Sequence, residues 1–337
     1  MKIPTEKQHP TLIAIDRAIE TDQDKSRRSY LGMSSIGDGC SRKLWYNFRW
    51  AIDIVFDAAS LKRFEDGHYG EDVQAARLRK LEFITLWTHK EDGSQFGATE
   101  HNGHFKGHAD GFILGILEAP KTWHVWEHKQ SAEKKQKELT KLINADEKNA
   151  LEKWSPIYFA QGLLYMHYFK MNRHYLTCAT PGGRHTISVR TDANQEKAQA
   201  LIEKALIIIR SQTAPEKLSE SPAYFECKWC DYYGLCHGEE LPNINCRTCV
   251  HSTPELEGTA GRWSCARYGK DISVADQRKA CGQHMFIPTL LRNHAEATDS
   301  DGKNWVSYSH REEKTPLING EGGLSSEDLI KHLEIPF

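Results

Sequence analysis

Residues 104–129 read HFKGHADGFILGILEAPKTWHVWEHK, and the fold is decided by how that stretch divides into strands. Turn signals at Asp92–Gly93 and Asn102–Gly103 bracket residues 94–101, 104–115 and 122–129, which predict successive strands with antiparallel connections. In a strand over 122–129, Glu127 and Lys129 are i and i+2, so they project from one face with Trp123 and Val125. A carboxylate and an ammonium then sit at the margin of an apolar layer, where they must pair or bind metal. Asp110, on the neighbouring strand, is placed to converge on the same point. Two carboxylates suit a hard cation such as Mg²⁺ or Mn²⁺. Such an ion polarises a phosphoryl oxygen and lowers the pKa of a bound water. A lysine beside it orients the nucleophile and offsets charge on the phosphate. The same residues also fit an ordinary cross-strand Glu–Lys pair.

Working outward, residues 59–82 carry Leu61, Phe64, Val73, Ala76 and Leu78 at helical spacing and predict a long helix. Gly67 and Gly70 interrupt it at about 1 kcal/mol each, which implies close approach of another backbone or a ligand. His68 and Glu71 stand at i, i+3 beside them and can face one cleft. Further helices are predicted over 10–20, 131–153, 155–170 (proline in its first turn) and 192–212. In the apolar 155–170 helix, Tyr158, Gln161, Tyr165 and Tyr168 form a stripe. Its tyrosines read as core, whereas Gln161 needs partners that a phosphate or metal-bound water would supply. Segments 173–180 and 184–190 flank Pro181–Gly182–Gly183 as a hairpin. The order is that of an α/β layer architecture over residues 1–240. Pro242 and Asn243 open a compact Cys-rich module, 241–290, and 291–337 is a C-terminal extension with an NGEGGLSSED linker.

Composition narrows the classes. Of 337 residues, 39% are hydrophobic and 27% charged, which permits a packed core and excludes wholesale disorder. No apolar run approaches the roughly 18–20 residues that span a bilayer. The opening MKIPTEKQHPTL lacks a secretory pattern, so no membrane association and a cytoplasmic location (bacterial, or a virus-infected host) are expected. A net charge of −2 means that any DNA groove must be local. The basic runs at Arg27–Arg28, Arg42–Lys43, Lys62–Arg63, Arg77/Arg79/Lys80 and Lys134/Lys135/Lys137 are either such a groove or solvated helix faces.

Nine cysteines, seven of them between Cys227 and Cys281, argue for a reducing compartment and metal rather than disulfides. Cys227, Cys230 and Cys236 supply three thiolates, with Cys40 far upstream. Three clustered thiolates fit zinc as well as iron–sulfur. Cys246, Cys249, Cys265 and Cys281 form a second set suited to tetrahedral Zn²⁺. His284 is the alternative fourth ligand, and Cys281 is favoured. So small a module has little core, and metal would supply its folding energy. Cys178, in a predicted strand, reads as core.

Taken together, Gly67-His68, Gly107-His108-Ala109-Asp110-Gly111, Glu127-His128-Lys129 and Gln161…Tyr165 resemble the PD-(D/E)XK nuclease superfamily, RecB-like branch, over roughly residues 30–240. The resemblance implies a restriction-endonuclease-like α/β core, a mixed central sheet flanked by helices. It also implies His68, Asp110, Glu127 and the His128 carbonyl as ligands of Mg²⁺ or Mn²⁺, with Lys129 as catalytic lysine. Glu71, Gln161 and Tyr165 complete the candidate catalytic set. Glu127 stands where the family more often has Asp. One distant N-terminal cysteine plus C-x2-C-x5-C, with the segment SSIGDGCSRKLWY, resembles the iron–sulfur nucleases of this branch, the CRISPR-associated and AddB-type exonucleases. That implies a 4Fe–4S cluster on Cys40, Cys227, Cys230 and Cys236, stapling the ends of the nuclease domain across a long loop.

The last residues, Leu333-Glu334-Ile335-Pro336-Phe337, are similar to the Ile-Pro-Phe tip of bacterial single-stranded-DNA-binding proteins. That similarity implies a tail that docks a single-strand annealing or recombination protein. A plain terminal helix capped near Ser325 or Ser326 reads the same residues. The expected activity is a Mg²⁺/Mn²⁺-dependent deoxyribonuclease, an exonuclease on linear duplex or single-stranded DNA ends, serving recombination or end processing. The alternatives are a CRISPR-adaptation nuclease and a non-catalytic iron–sulfur/zinc DNA-binding adaptor.

Overall fold

The computed structural model describes residues 9–24, 27–310 and 315–334. The chain opens with α1 (Pro10–Asp22), the two-residue strand β1 (Leu31–Gly32), α2 (Ser41–Phe48) and the long α3 (Ala58–Leu78). Strands β2 (Thr85–Trp87), β3 (Phe96–Glu100), β4 (Phe105–Ala109), β5 (Gly111–Leu114) and β6 (His124–Gln130) follow. Next come α4 (Glu133–Asn144), α5 (Ala150–Trp154), α6 (Pro156–Tyr168), the hairpin β7 (Arg173–Ala179) and β8 (Thr186–Asp192), and α7 (Gln195–Arg210).

Five strands make one sheet in the order β2-β5-β6-β7-β8, antiparallel except for the parallel pair β6–β7. A parallel pair needs a crossover, and α4, α5 and α6 supply it. Alternation along β6 sends Val125 into the core shared with α6 and α7. It sends Trp126 the other way, to a cluster with Ala75 of α3, Ile113 and Tyr175. The architecture is mixed α/β, with helices on both faces of the central sheet. No described helix is long and apolar enough to cross a membrane.

Two expectations are corrected here. Residues 104–115 are not one strand: β4 joins β1 and β3 in a three-stranded sheet, while β5 joins the five-stranded one. Gly111 leaves room for the Trp87 carbonyl of β2, so the backbone can change sheets there. Asp110 is the single residue between the two. The charged 131–153 helix is also divided, because Asp146 and Asn149 take left-handed φ of 51° and 66°, which these residue types tolerate singly.

Beyond α7, two short helices, α8 (Phe225–Lys228) and α9 (Tyr233–His237), carry the first cysteine group. A small sheet of β9 (Ser252–Pro254), β10 (Trp263–Cys265) and β11 (Lys270–Ile272), with α10 (Val274–Gln277), carries the second. Its Trp263 shares a core with Leu44, Trp45 and Phe48 of α2, and the Asn245 amide donates to the Trp50 carbonyl at 2.9 Å. The C-terminal extension is itself folded. Antiparallel β12 (Ala295–Ser300), β13 (Trp305–His310) and β14 (Leu317–Gly320) pack with α11 (Ser326–Glu334) around Leu291, Val306, Tyr308 and Leu329. The NGEGGLSSED segment is therefore no linker. Its Asn319 is buried, accepts the Phe286 amide at 3.0 Å and donates to the Leu324 carbonyl at 3.2 Å. Ile335, Pro336 and Phe337 lie outside the described residues.

Candidate active site

β6 carries the centre of the site. Lys129 Nζ donates to Glu127 Oε2 at 2.8 Å and lies 3.6 Å from Asp110 Oδ2. That aspartate oxygen accepts the His128 backbone N–H at 2.8 Å, which ties the sheet-switching residue to β6. From α6, Gln161 Nε2 donates to Glu127 Oε2 at 3.0 Å and to the Tyr165 hydroxyl at 3.4 Å. α6 is buried nearly all round, started by Ser155 as N-cap and Pro156 in its first turn, so both side chains are fixed against the sheet. Lys129 Nζ also lies 5.7 Å above the Tyr158 ring. A stripe residue that reads as core in the sequence thus borders the site; its one signal was lying a turn before Gln161.

The long α3 crosses the end of β6. Gly70 packs against the Gln130 side-chain amide, the close approach its glycine implies, whereas a Cβ at Gly67 would meet open space. The next residue, Glu71, is half-buried beside Asp110 and Lys129. His68, one turn earlier, is exposed, and no contact among the described residues joins it to Asp110 or Glu127. The His128 side chain points to the opposite face, its Nδ1 3.0 Å from Thr177 Oγ1, which leaves only its backbone to the site. Gly107 of β4, quoted in the sequence without a role, closes the back of it. A Cβ there would lie 2.8 Å from the Tyr165 hydroxyl and 2.7 Å from Met33 Cβ.

Electrostatics follow from burial. Burial pushes the Glu127 carboxyl well above the usual carboxylate range and the Asp110 charge adds to this, against the pull of Lys129. Glu71 is raised to about 7, by burial first and Asp110 next. Burial alone would lower Lys129, but Asp110 and Glu127 outweigh it and hold the ammonium charged. The Tyr165 phenol is held protonated by burial and by Glu127. Glu127 Oε1 is buried without a hydrogen-bond partner. Three acids thus stand around one lysine, and one of them keeps an orphaned carboxylate oxygen.

The cysteines gather in two places. Cys40, Cys227, Cys230 and Cys236 line one cavity of about 210 Å³, with Arg42 and Lys43 in its wall. Cys246, Cys249, Cys265 and Cys281 line a second of about 20 Å³. Burial and the neighbouring thiols drive Cys246 up to about 12. His284 is spoken for: Nε2 lies 3.2 Å from Thr248 Oγ1 and Nδ1 2.8 Å from Ser326 Oγ. Among the described residues, no three His, Cys, Asp or Glu side chains already stand at metal-coordinating spacing. Cys178 is buried and packs in the main core. One basic run is structural: buried Arg42 donates to the Pro215 carbonyl at 2.6 Å, and Lys43 pairs with Asp38 at 2.9 Å.

Fold and site together define a mixed α/β protein with an acid–acid–lysine constellation at the end of its central strand. No protein-family model matches the chain, and no curated protein does. Among solved structures it resembles SSO0001 at 16% identity and a TM-score of 0.36, over 68% of this chain and 98% of that one. It also resembles LHK-Exo, an alkaline exonuclease from Laribacter hongkongensis, at 10% identity and a TM-score of 0.37, over 57% of this chain and 90% of that one. The complex of LHK-Exo with dAMP gives 11% identity and 0.36, over 53% and 86%. Likeness at that level carries no weight for activity, which rests on the residues themselves.

Proposed function

We propose that the chain is a metal-dependent DNA exonuclease of the PD-(D/E)XK type, with Asp110, Glu127 and Lys129 at its centre. The observation that carries this reading is the convergence on one lysine of two carboxylates, Glu127 from β6 and Asp110 from the β4–β5 junction, with Glu127 Oε1 buried and unpartnered. Asp110, Glu127, the His128 carbonyl and Glu71 would hold Mg²⁺ or Mn²⁺, with His68 at the rim. An ion there would polarise the scissile phosphoryl oxygen and lower the pKa of the attacking water. Lys129 offsets the charge that builds on the phosphate as the water adds. Gln161 keeps Glu127 turned toward the site, and Tyr165 backs Gln161.

In this reading residues 1–240 are the nuclease unit, 241–290 a metal module and 291–337 an extension. The larger cysteine cavity has room for a polynuclear cluster, and we assign 4Fe–4S to Cys40, Cys227, Cys230 and Cys236. The smaller holds little more than a single water's volume, about 10–15 Å³ by the usual measure, which suits one Zn²⁺ on Cys246, Cys249, Cys265 and Cys281. With both His284 nitrogens engaged, Cys281 is the better fourth ligand. DNA ends are the proposed substrate, and the C-terminal tail a proposed contact for an annealing or recombination protein.

The test is digestion of end-labelled linear duplex beside a covalently closed circle, with Mg²⁺ or Mn²⁺, by the intact protein and by Lys129→Ala. Loss of the linear substrate alone, abolished by the substitution, is expected. Cutting of the circle would make the protein an endonuclease, and inertness toward both would overturn the nuclease reading.

A further inference from the structure

Arg49 and Arg247 are both wholly buried. Their guanidiniums donate to the carbonyls of Arg247, Ser252, Ser211, Phe48 and Ser29 and to the amide oxygens of Gln212 and Gln277, at 2.8–3.4 Å. None of these acceptors is a carboxylate. Arg49 Nε is buried with no partner. The surroundings are aromatic: Arg247 lies 3.7 Å from the Trp50 ring centre and 4.5 Å from that of Trp263, and Arg49 5.1 Å from Trp263. Ring faces and carbonyls soften a buried cation but do not cancel its charge. Two adjacent buried cations without an anion are a standing cost, and the fold must meet it nearby.

The second cysteine set lies beside them. Arg247 stands between Cys246 and Cys249 in the chain. Arg49 binds the carbonyl of Ser252, which pairs directly with Cys265 across β9 and β10. A divalent ion on four thiolates carries two net negative charges, and Arg267 on the same cavity wall is already paired with Glu321 at 3.6 Å, which leaves Arg49 and Arg247 as the buried cations without a carboxylate. We propose that Arg49 and Arg247 are the built-in counter-charge of a tetrathiolate metal centre at Cys246, Cys249, Cys265 and Cys281. Metal occupancy then locks this module onto α2, because Arg49 belongs to the nuclease core and the thiolates do not. The reaction balances as one Zn²⁺ taken up and four thiol protons released. This rests on the zinc assignment above and goes beyond it, since the chemistry of four cysteines says nothing about where their charge is answered.

The experiment uses the full-length protein, as purified and after stripping by chelator under reducing conditions. Zinc release to a chromogenic chelator and thermal unfolding are followed in both forms for the intact sequence, Arg49→Met, Arg49→Lys and Cys281→Ser. Arg49→Met is expected to weaken zinc retention by roughly 5- to 150-fold, the usual range of coupling between two sites. It should lower the melting temperature of the loaded form by more than that of the stripped form, which also loses the hydrogen bonds of Arg49 but is relieved of an unanswered buried cation. Arg49→Lys keeps the charge and should hold zinc nearly as well as the intact sequence. Equal destabilisation of loaded and stripped Arg49→Met overturns the proposal. So does zinc release by folded Arg49→Lys as fast as by the methionine variant, and if the methionine variant does not fold, release from Arg49→Lys about tenfold faster than from the intact protein does the same. Equal zinc content in the intact protein and Cys281→Ser removes the zinc assignment itself, a different failure from zinc that is bound but indifferent to Arg49.

Discussion

Gly107→Ala tests the geometry of the site from behind. The added methyl would stand 2.8 Å from the Tyr165 hydroxyl and 2.7 Å from Met33 Cβ. Non-bonded contacts of this kind ordinarily settle at about 3.5–4.0 Å, so each is short by roughly 0.7–1.3 Å. Neither neighbour has room to yield, since Met33 is fully buried and Tyr165 only 1% exposed. Overpacking of this kind costs about 1–3 kcal/mol. The effect does not stop at stability. Moving the Tyr165 hydroxyl disturbs Gln161, which holds Glu127 at 3.0 Å, and a displacement near 1 Å at a reacting group can cost about 100-fold in rate. Turnover on saturating linear DNA should therefore fall by about 10- to 100-fold with KM little changed. Denaturant titration of the same sample gives the stability loss. Gly67→Ala is the control: a Cβ there meets open space on a helix, so stability should rise by up to about 1 kcal/mol. Intact turnover and stability in Gly107→Ala would refute the tight Gly107–Tyr165–Gln161–Glu127 stack.

Lys129→Met leaves Glu127 buried without its cation, and breaking such a pair costs about 3–5 kcal/mol. Glu127 can escape part of this by taking up a proton, so in metal-free protein the loss should be larger at pH 8 than at pH 6; a pH-independent loss would contradict that account. His174 is wholly buried with both ring nitrogens unpartnered, and burial, then Lys129, depresses it to about 3. Its folded-state pKa lies below an unfolded value near 6.5, so the stability it confers is lost as pH falls from about 6.5 toward 3, at about 1.4 kcal/mol per pH unit. His174→Leu should flatten that limb of the stability profile, and an unchanged limb rules His174 out as its source. On the proposed 4Fe–4S assignment, Cys40→Ala should abolish the visible absorption expected of freshly purified protein and lower its melting temperature; an unchanged spectrum removes Cys40 from that assignment.

The strands that carry the site were legible because alternation in 122–129 and the turn signals at Asn102–Gly103 are local. The turn itself forms as read, with Asn102 at φ 55° and Gly103 at 92°. The sheet change at Asp110 was not legible, since Gly111 is one of three glycines in 104–115 and only the Trp87 carbonyl, brought from β2, shows why it must lack a side chain. Gln161 and Glu71 were found by helical spacing, a short-range property. The same spacing placed His68 beside Glu71 but could not show that it stays exposed. The C-terminal sheet was missed for a compositional reason: 291–337 is polar, with three of its glycines close together at 320, 322 and 323, and its core is completed by Phe286 from the module before it. Asn319, deep in that core, looks like a linker residue until its partners are known.

α2 explains why a helix of eight residues holds so much buried charge. Its N-cap is Cys40, on the wall of the larger cysteine cavity, and its C-cap is Arg49, beside the smaller one. Between them Arg42 donates to the Pro215 carbonyl at 2.6 Å and Trp45 to the Ser211 carbonyl at 2.9 Å. Every one of these contacts joins the start of the chain to residues more than 160 positions later. Closing loops of that length is entropically expensive but grows only slowly with length, so a few strong ties at one short helix suffice where many weak ones would be needed elsewhere. Hydrophobic contacts alone would bury α2 without fixing its rotation about its own axis. Directed bonds from both ends fix it, and they present Cys40 to Cys227, Cys230 and Cys236 and Arg49 to the second cysteine set at once. The sheet and α6 are held from the same place, because the Gly37 turn before α2 packs on the first turn of α6 at Ile157. Substitution in either cysteine set should therefore loosen the helix that positions Gln161, although neither set touches Asp110, Glu127 or Lys129.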